Sequence, residues 1–182
     1  PVGATWSVTC ASPSDHQFTG AVSVAAVEPP NDPTPGNNGP VAATPGVTAV
    51  TATTDVKASG VTVTAPLAGT AGTSFNVTVA GSVHNNGPVD PASADVTISI
   101  VVPADCVLSP AAPSIMTQNV SLVVSTALPV SQTWGVTCSN TGLHGISGTV
   151  EAAVDQLHVS DSNTGNNSAG NQASVDVQPV PP

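Results

Sequence analysis

Apolar and polar residues alternate with a period of two along much of the chain, the spacing that turns one face of an extended strand toward a core and the other toward solvent. From residue 55 onward this pattern predicts strands over Thr62-Val63-Thr64, Phe75 to Val83, Ala94 to Val102, Val120 to Val124, Thr133 to Cys138, Thr149 to Val154 and Ala173 to Val177. Phe75, Val77 and Val79 share one face, as do Val96, Ile98 and Ile100, Trp134 and Val136, and Val175 and Val177. Phe75, Val77, Val79, Val96, Ile98, Ile100, Leu122, Trp134 and Val136 make up the predicted core. Turn-forming clusters such as Asn85-Asn86-Gly87-Pro88 separate the runs, and no helical period interrupts them. About seven short strands in this length predict an all-β chain folded as an immunoglobulin-like antiparallel β-sandwich.

The pattern repeats. Thr5-Trp6-Ser7-Val8-Thr9-Cys10 recurs 128 residues later as Thr133-Trp134-Gly135-Val136-Thr137-Cys138, and the same offset relates His16 to His144, Gly20 to Gly148 and Val22 to Val150. After a slip of one residue, Asp32 to Gly36-Asn37-Asn38 matches Asp161 to Gly165-Asn166-Asn167. The stretch that begins near Asp55 has no earlier counterpart, so the order is tail, head, tail. Residues 1–54 are expected to be the C-terminal part of a preceding repeat, incomplete alone, and 55–182 a complete repeat. The latter ends in Gln178-Pro179-Val180-Pro181-Pro182, a stiff proline-rich linker.

A Val- and Thr-rich sandwich that closes with an Asp, a five-residue step to Asn-Asn and a final strand resembles the CARDB family, the cell adhesion related domain of bacterial and archaeal surface proteins. Asp161 with Asn166-Asn167 and Asp32 with Asn37-Asn38 carry the resemblance, together with Thr62-Val63-Thr64-Ala65-Pro66 and Val83-His84-Asn85-Asn86-Gly87. It implies an extracellular structural or adhesive module and brings no enzymatic residue with it.

Composition narrows the function classes. One Lys, no Arg and a net charge of −10 leave nothing from which to build a basic patch, which argues against nucleic acid as a partner. Only 7% of residues are charged while 40% are hydrophobic, the reverse of an acidic disordered chain. Apolar runs such as Ile98 to Val102 stop far short of the roughly 20 residues a membrane helix needs, so no membrane span is expected. A single Lys also leaves a trypsin-like protease one cleavage site, which suits a secreted, extracellular or cell-surface life.

Three cysteines are an odd number, and the repeat indicates the one left over. Cys106 and Cys138 fall within one complete unit and make the natural disulfide, whereas Cys10 is the copy of Cys138. Its partner is therefore expected outside this chain, as the counterpart of Cys106 in a missing head. Lacking a Cys-x-x-Cys pair, the three do not read as a zinc site. His16 and His144 occupy matching repeat positions in a predicted loop, and with His84 and His158 they read as architecture; no catalytic motif accompanies them.

Asp161, Asn163 and Gly165 alternate as in the opening of a calcium loop, but no bidentate Glu follows and the first copy has Pro33 and Thr34 in the corresponding stretch. Turn capping by Asp161 is the favoured reading, and no cofactor is expected. Asn76, Asn119 and Asn166 each begin an acceptor triplet for N-glycosylation.

These readings predict a structural, non-enzymatic repeat of an extracellular filament, stalk or surface array, completed by strand or domain pairing with copies of itself. The alternative is an adhesive or carbohydrate-binding module with a glycan or receptor as its partner. Such a site needs an aromatic platform, which Trp6 and Trp134 do not provide if both belong to cores.

Overall fold

A computed structural model describes residues 3–25, 33–43 and 46–182 and divides the chain into two compact units, Pro1–Thr51 and Ala52–Pro182. Asp32, which the repeat matches to Asp161, lies outside the described residues.

Among its described residues the first unit holds four strands, β1 (Ser14–Phe18), β2 (Ala21–Val22), β3 (Val41–Ala42) and β4 (Gly46–Val50). β1 pairs antiparallel with β4, placing His16 opposite Thr48, and β2 pairs with β3, placing Val22 opposite Val41. A 3-10 turn spans Pro35–Asn37. None of its described residues from Gly3 to Thr51 is buried.

The second unit is a two-layer sandwich. Its strands are β5 (Ala52–Thr54), β6 (Val56–Thr64), β7 (Ala68–Thr70), β8 (Phe75–Asn85), β9 (Ala92–Val101), β10 (Cys106–Leu108), β11 (Ile115–Leu122), β12 (Ala127–Cys138), β13 (Gly142–Val154), β14 (Val159–Asp161) and β15 (Ser168–Gln178). One sheet has the order β10-β12-β8-β6 and the other β11-β9-β13-β15-β7. The chain changes sheet from β8 to β9, from β11 to β12 and from β12 to β13, so that two antiparallel sheets face each other as in an immunoglobulin-like sandwich. All sheet pairings are antiparallel except that of short β7 with the end of β15; a small separate ladder pairs β14 with β5, also in parallel.

The alternation read from the sequence holds along the principal strands. β9 is buried at every second residue from Ala92 to Ile100, and Val77, Val79, Leu122, Trp134, Val136, Val175 and Val177 are buried with it. Phe75 is only partly buried, packing against the rim of the core. The seven long strands correspond to the seven predicted, but most extend further, and three-residue strands β5, β7, β10 and β14 are added. Runs this short carry too little periodicity to stand out locally; they exist because a longer neighbour offers an open edge.

The largest departure concerns His16 and His144, which lie in strands β1 and β13 rather than in loops. The start of β13, Gly142-Leu143-His144-Gly145, has little β propensity. Pairing with β15 along nearly its whole length imposes the extended form.

Gly148 lets the two sheets approach. A Cβ at this position would run into the methyl groups of Val79 and meet Val63 Cγ2 at 3.0 Å, whereas at the sister position, Gly20, it would find no atom within 4 Å. Gly148→Ala should therefore destabilise the sandwich by about 1–3 kcal/mol through overpacking. Gly20→Ala should change it by less than about 0.5 kcal/mol. Urea unfolding of the two variants measures both.

Candidate functional site

Cys106 and Cys138 stand directly opposite each other on β10 and β12 and are joined, with an S–S distance of 2.04 Å. The bridge thus staples two neighbouring strands of one sheet rather than crossing the core between sheets. His144, buried on β13 of the other sheet, comes close to it: a ring nitrogen and the two sulfurs lie within 4.8 Å of one another. Among the described residues this is the one His, Cys, Asp and Glu grouping tight enough for a metal. Its atoms are otherwise engaged, since the sulfurs are bonded to each other and His144 uses Nε2 toward Asp105 Oδ2 and Nδ1 toward Gly142 O, both at 2.8 Å.

Because both partners of His144 are acceptors, its ring serves them best when both nitrogens carry a proton. The hydrogen bond from His144 lowers the Asp105 pKa, and the bond to Asp105 raises that of His144 against the opposing effect of burial. The His144 contribution to stability is therefore full below its ordinary value of 6.5 and fades as pH rises through the raised folded value. The Asp105 contribution is full above 3.8 and fades as pH falls through its lowered folded value. Thermal melting should show His144→Gln losing more stability against the parent at pH 5 than at pH 8.5.

The Asp161 loop is a connected turn. Asp161 Oδ1 accepts from Asn163 N at 2.8 Å and Oδ2 from Val56 N at 3.3 Å, so its carboxylate ties the loop to the start of β6. Asn163 and Gly165 are exposed. Asn166 Nδ2 donates to Asp55 Oδ1 at 3.0 Å, while its own Oδ1 is buried without a partner. Hydrogen bonds from Asn86 and then Asn166 hold the Asp55 pKa below its ordinary value.

Of the three glycosylation triplets, Asn76 is exposed on β8. Asn119 is exposed on β11, but its amide donates to Asp95 and Asp155, both at 2.9 Å. The Asn166 amide is occupied by Asp55. Sequence reading passed over Asn85 as a turn residue, yet its side chain is fully buried. Oδ1 accepts from Thr54 and Gly87, and Nδ2 donates to the carbonyls of Val89 and Leu122, so one amide ties its own turn to β5 and to the end of β11.

The two tails differ most. Their 3-10 turns, at Pro35–Asn37 and Thr164–Asn166, sit at matching places, and Val22 opposite Val41 has the spacing of Val150 opposite Ala169, but the longer hairpin differs in register: His16 faces Thr48, whereas His144 faces Val175, the residue 128 positions after Val47. Burial does not correspond. Trp6, Val8, Phe18, Val22 and Val24 are between 39% and 74% exposed, while their counterparts Trp134, Val136, Ile146, Val150 and Ala152 are at most 3% exposed. Trp6 is therefore not a core residue, contrary to the sequence expectation. Residues 3–10 form no strand, although nearly the same sequence is β12 in the second tail, where β8 and β10 pair with both of its edges. Trp6, Val8, Cys10, Phe18, Thr19, Thr48 and Val50 line an open apolar groove, and the Cys10 thiol there is free and half-buried.

No protein-family model matches the chain, and no curated protein matches it. Solved structures do. The chain is similar to a CARDB domain. That domain, from Pyrococcus furiosus and crystallised in complex with di-metal ions, is 20% identical, with 69% of this chain and 96% of that one covered and a TM-score of 0.41. A cohesin module from a Clostridium perfringens family 33 glycoside hydrolase is 10% identical over 69% of this chain and 99% of that one, at a TM-score of 0.34. A Bacteroides fragilis putative β-galactosidase is 14% identical over 65% of this chain but only 16% of that much longer one, at 0.37.

Proposed function

We propose that the chain is a non-enzymatic structural repeat of an extracellular filament, stalk or cell-surface array, held together by pairing between neighbouring repeats of the same kind. The observation that carries this reading is the first tail: apolar residues whose counterparts form a core stand exposed, with no opposing sheet among the described residues of that unit. A half-sandwich of this kind is an assembly surface, because unpaired backbone and an open apolar face both favour a partner strand. The free Cys10 thiol lines the same groove, which supports a disulfide with that partner. The Cys106–Cys138 bridge fits an oxidising compartment outside the cytosol.

Negative-stain imaging of the native material tests the reading. Filaments or regular arrays are expected, and monodisperse single particles at all concentrations would overturn it. A second reading, an adhesive or carbohydrate-binding module, draws on Trp6 and Phe18, the exposed aromatics that a glycan platform needs. Glycan titration that quenches the emission of Trp6 without assembly would favour that reading instead.

A further inference from the structure

Resting on the array reading, we infer which partner the first tail takes: a second head segment, of the same kind as residues 52–126, belonging to the adjoining repeat, with Cys10 disulfide-bonded to its Cys106-like cysteine. The chain itself supplies the template for this cover. In the second tail, Trp134, Val136 and Cys138 are buried because β8 runs along one edge of β12 and β10 along the other, with Cys106 opposite Cys138. Trp6, Val8 and Cys10 repeat those residues at the same spacing, and Pro1-Val2 repeats Pro129-Val130 just before them. A strand pair of this chemistry would therefore find the same apolar side chains and a thiol at the same register.

A further copy of this chain cannot donate its head without loss. In each copy the strands β8 and β10 of this segment are already paired with their own β12. Moving them would only transfer the exposed face from one tail to the other.

Ser7 adds discrimination. Its counterpart, Gly135, lies directly under the Ser109 carbonyl, where any Cβ would collide with the backbone oxygen, and Ser109 N donates to Gly135 O at 2.8 Å. Ser7 carries that Cβ. The head in this chain thus fits the second tail and is kept off the first, and the donor for the first tail must leave room above Ser7 where residue 109 crosses Gly135. In forming the bond, Cys10 and the donor cysteine each give up one proton and one electron to an oxidised dithiol, which is reduced as the new S–S bond closes.

Two measurements test this. In protein from its native assembly, a non-reducing peptide map should join Cys10 to a cysteine in a peptide other than those of Cys106 and Cys138. A free Cys10 thiol, a Cys10–Cys10 link or a Cys10–Cys106 link would overturn the inference. The second uses the full chain extended by a copy of residues 52–128 placed ahead of Pro1, with either Ser7 or Ser7→Gly.

The Ser7→Gly version should close, which blue-shifts the Trp6 emission, abolishes alkylation of Cys10 by iodoacetamide and forms the disulfide to the added cysteine. The Ser7 version should remain open or close incompletely. If Trp6 and Cys10 stay accessible in both while the Trp134 sandwich melts normally, the first tail does not accept such a head. Equal closure of both versions would overturn the role of Ser7. Imaging of the native material is independent of these outcomes, so the array reading and this inference can fail separately.

Discussion

Replacing Trp134 with Ala should destabilise the sandwich by about 3–5 kcal/mol, while Trp6→Ala should change its stability by less than about 0.5 kcal/mol. The two indoles occupy matching positions in nearly identical sequences, so intrinsic strand propensity cannot separate them. Trp134 is 3% exposed, and its Nε1 donates to the Pro113 carbonyl at 2.9 Å. Truncation removes the apolar contacts, leaves a cavity and strips that carbonyl of its donor. Trp6 is 74% exposed and has no comparable packing to lose. Urea unfolding of the two variants, followed by circular dichroism, measures both effects. A loss below about 1.5 kcal/mol for Trp134→Ala would mean that the ring does not bear on the core.

Replacing Cys106 and Cys138 together with Ser should cost about 3–4 kcal/mol in the chain-entropy account, because the bridge closes a loop between residues 32 apart in sequence. Part of the effect should appear in the folded state. β10 is three residues long, and its position opposite Cys138 and Thr137 depends on the bridge as well as on its backbone pairing. Hydrogen exchange should accordingly show the amides of β10 losing protection before those of β8 and β12. Loss of Tm on adding a dithiol reductant to the parent, and none in the double-Ser variant, isolates the bridge from the substitutions. Cys10→Ser should leave the Tm of the isolated chain unchanged, since its thiol is free.

Much of the fold was legible because its signals are local. Alternation of apolar and polar residues marked all seven long strands, and the turn at Asn85-Asn86-Gly87-Pro88 was evident from residue chemistry. Short strands and the glycine-rich start of β13 were not legible, because their extended form is supplied by neighbouring strands. The ion pair between Asp105 and His144 was equally hidden: 39 residues separate the two, and only the stacking of the two sheets brings them to 2.8 Å. Asn85 illustrates the same point, since a turn residue became a buried hub once β5, its own turn and the end of β11 converged on its amide.

What the sequence determined by itself was the β alternation, the placement of the turns and the recurrence of Thr-Trp-x-Val-Thr-Cys 128 residues on, all of which depend on residue identity and spacing. What only the tertiary structure decided was the fate of each copy. Thr-Trp-x-Val-Thr-Cys is a buried, doubly paired strand in one place and an exposed, unpaired segment in the other. The physical reason is that an amphipathic strand specifies which face must be covered but cannot provide the cover. β8 and β10 supply it for Trp134, and no described strand does so for Trp6.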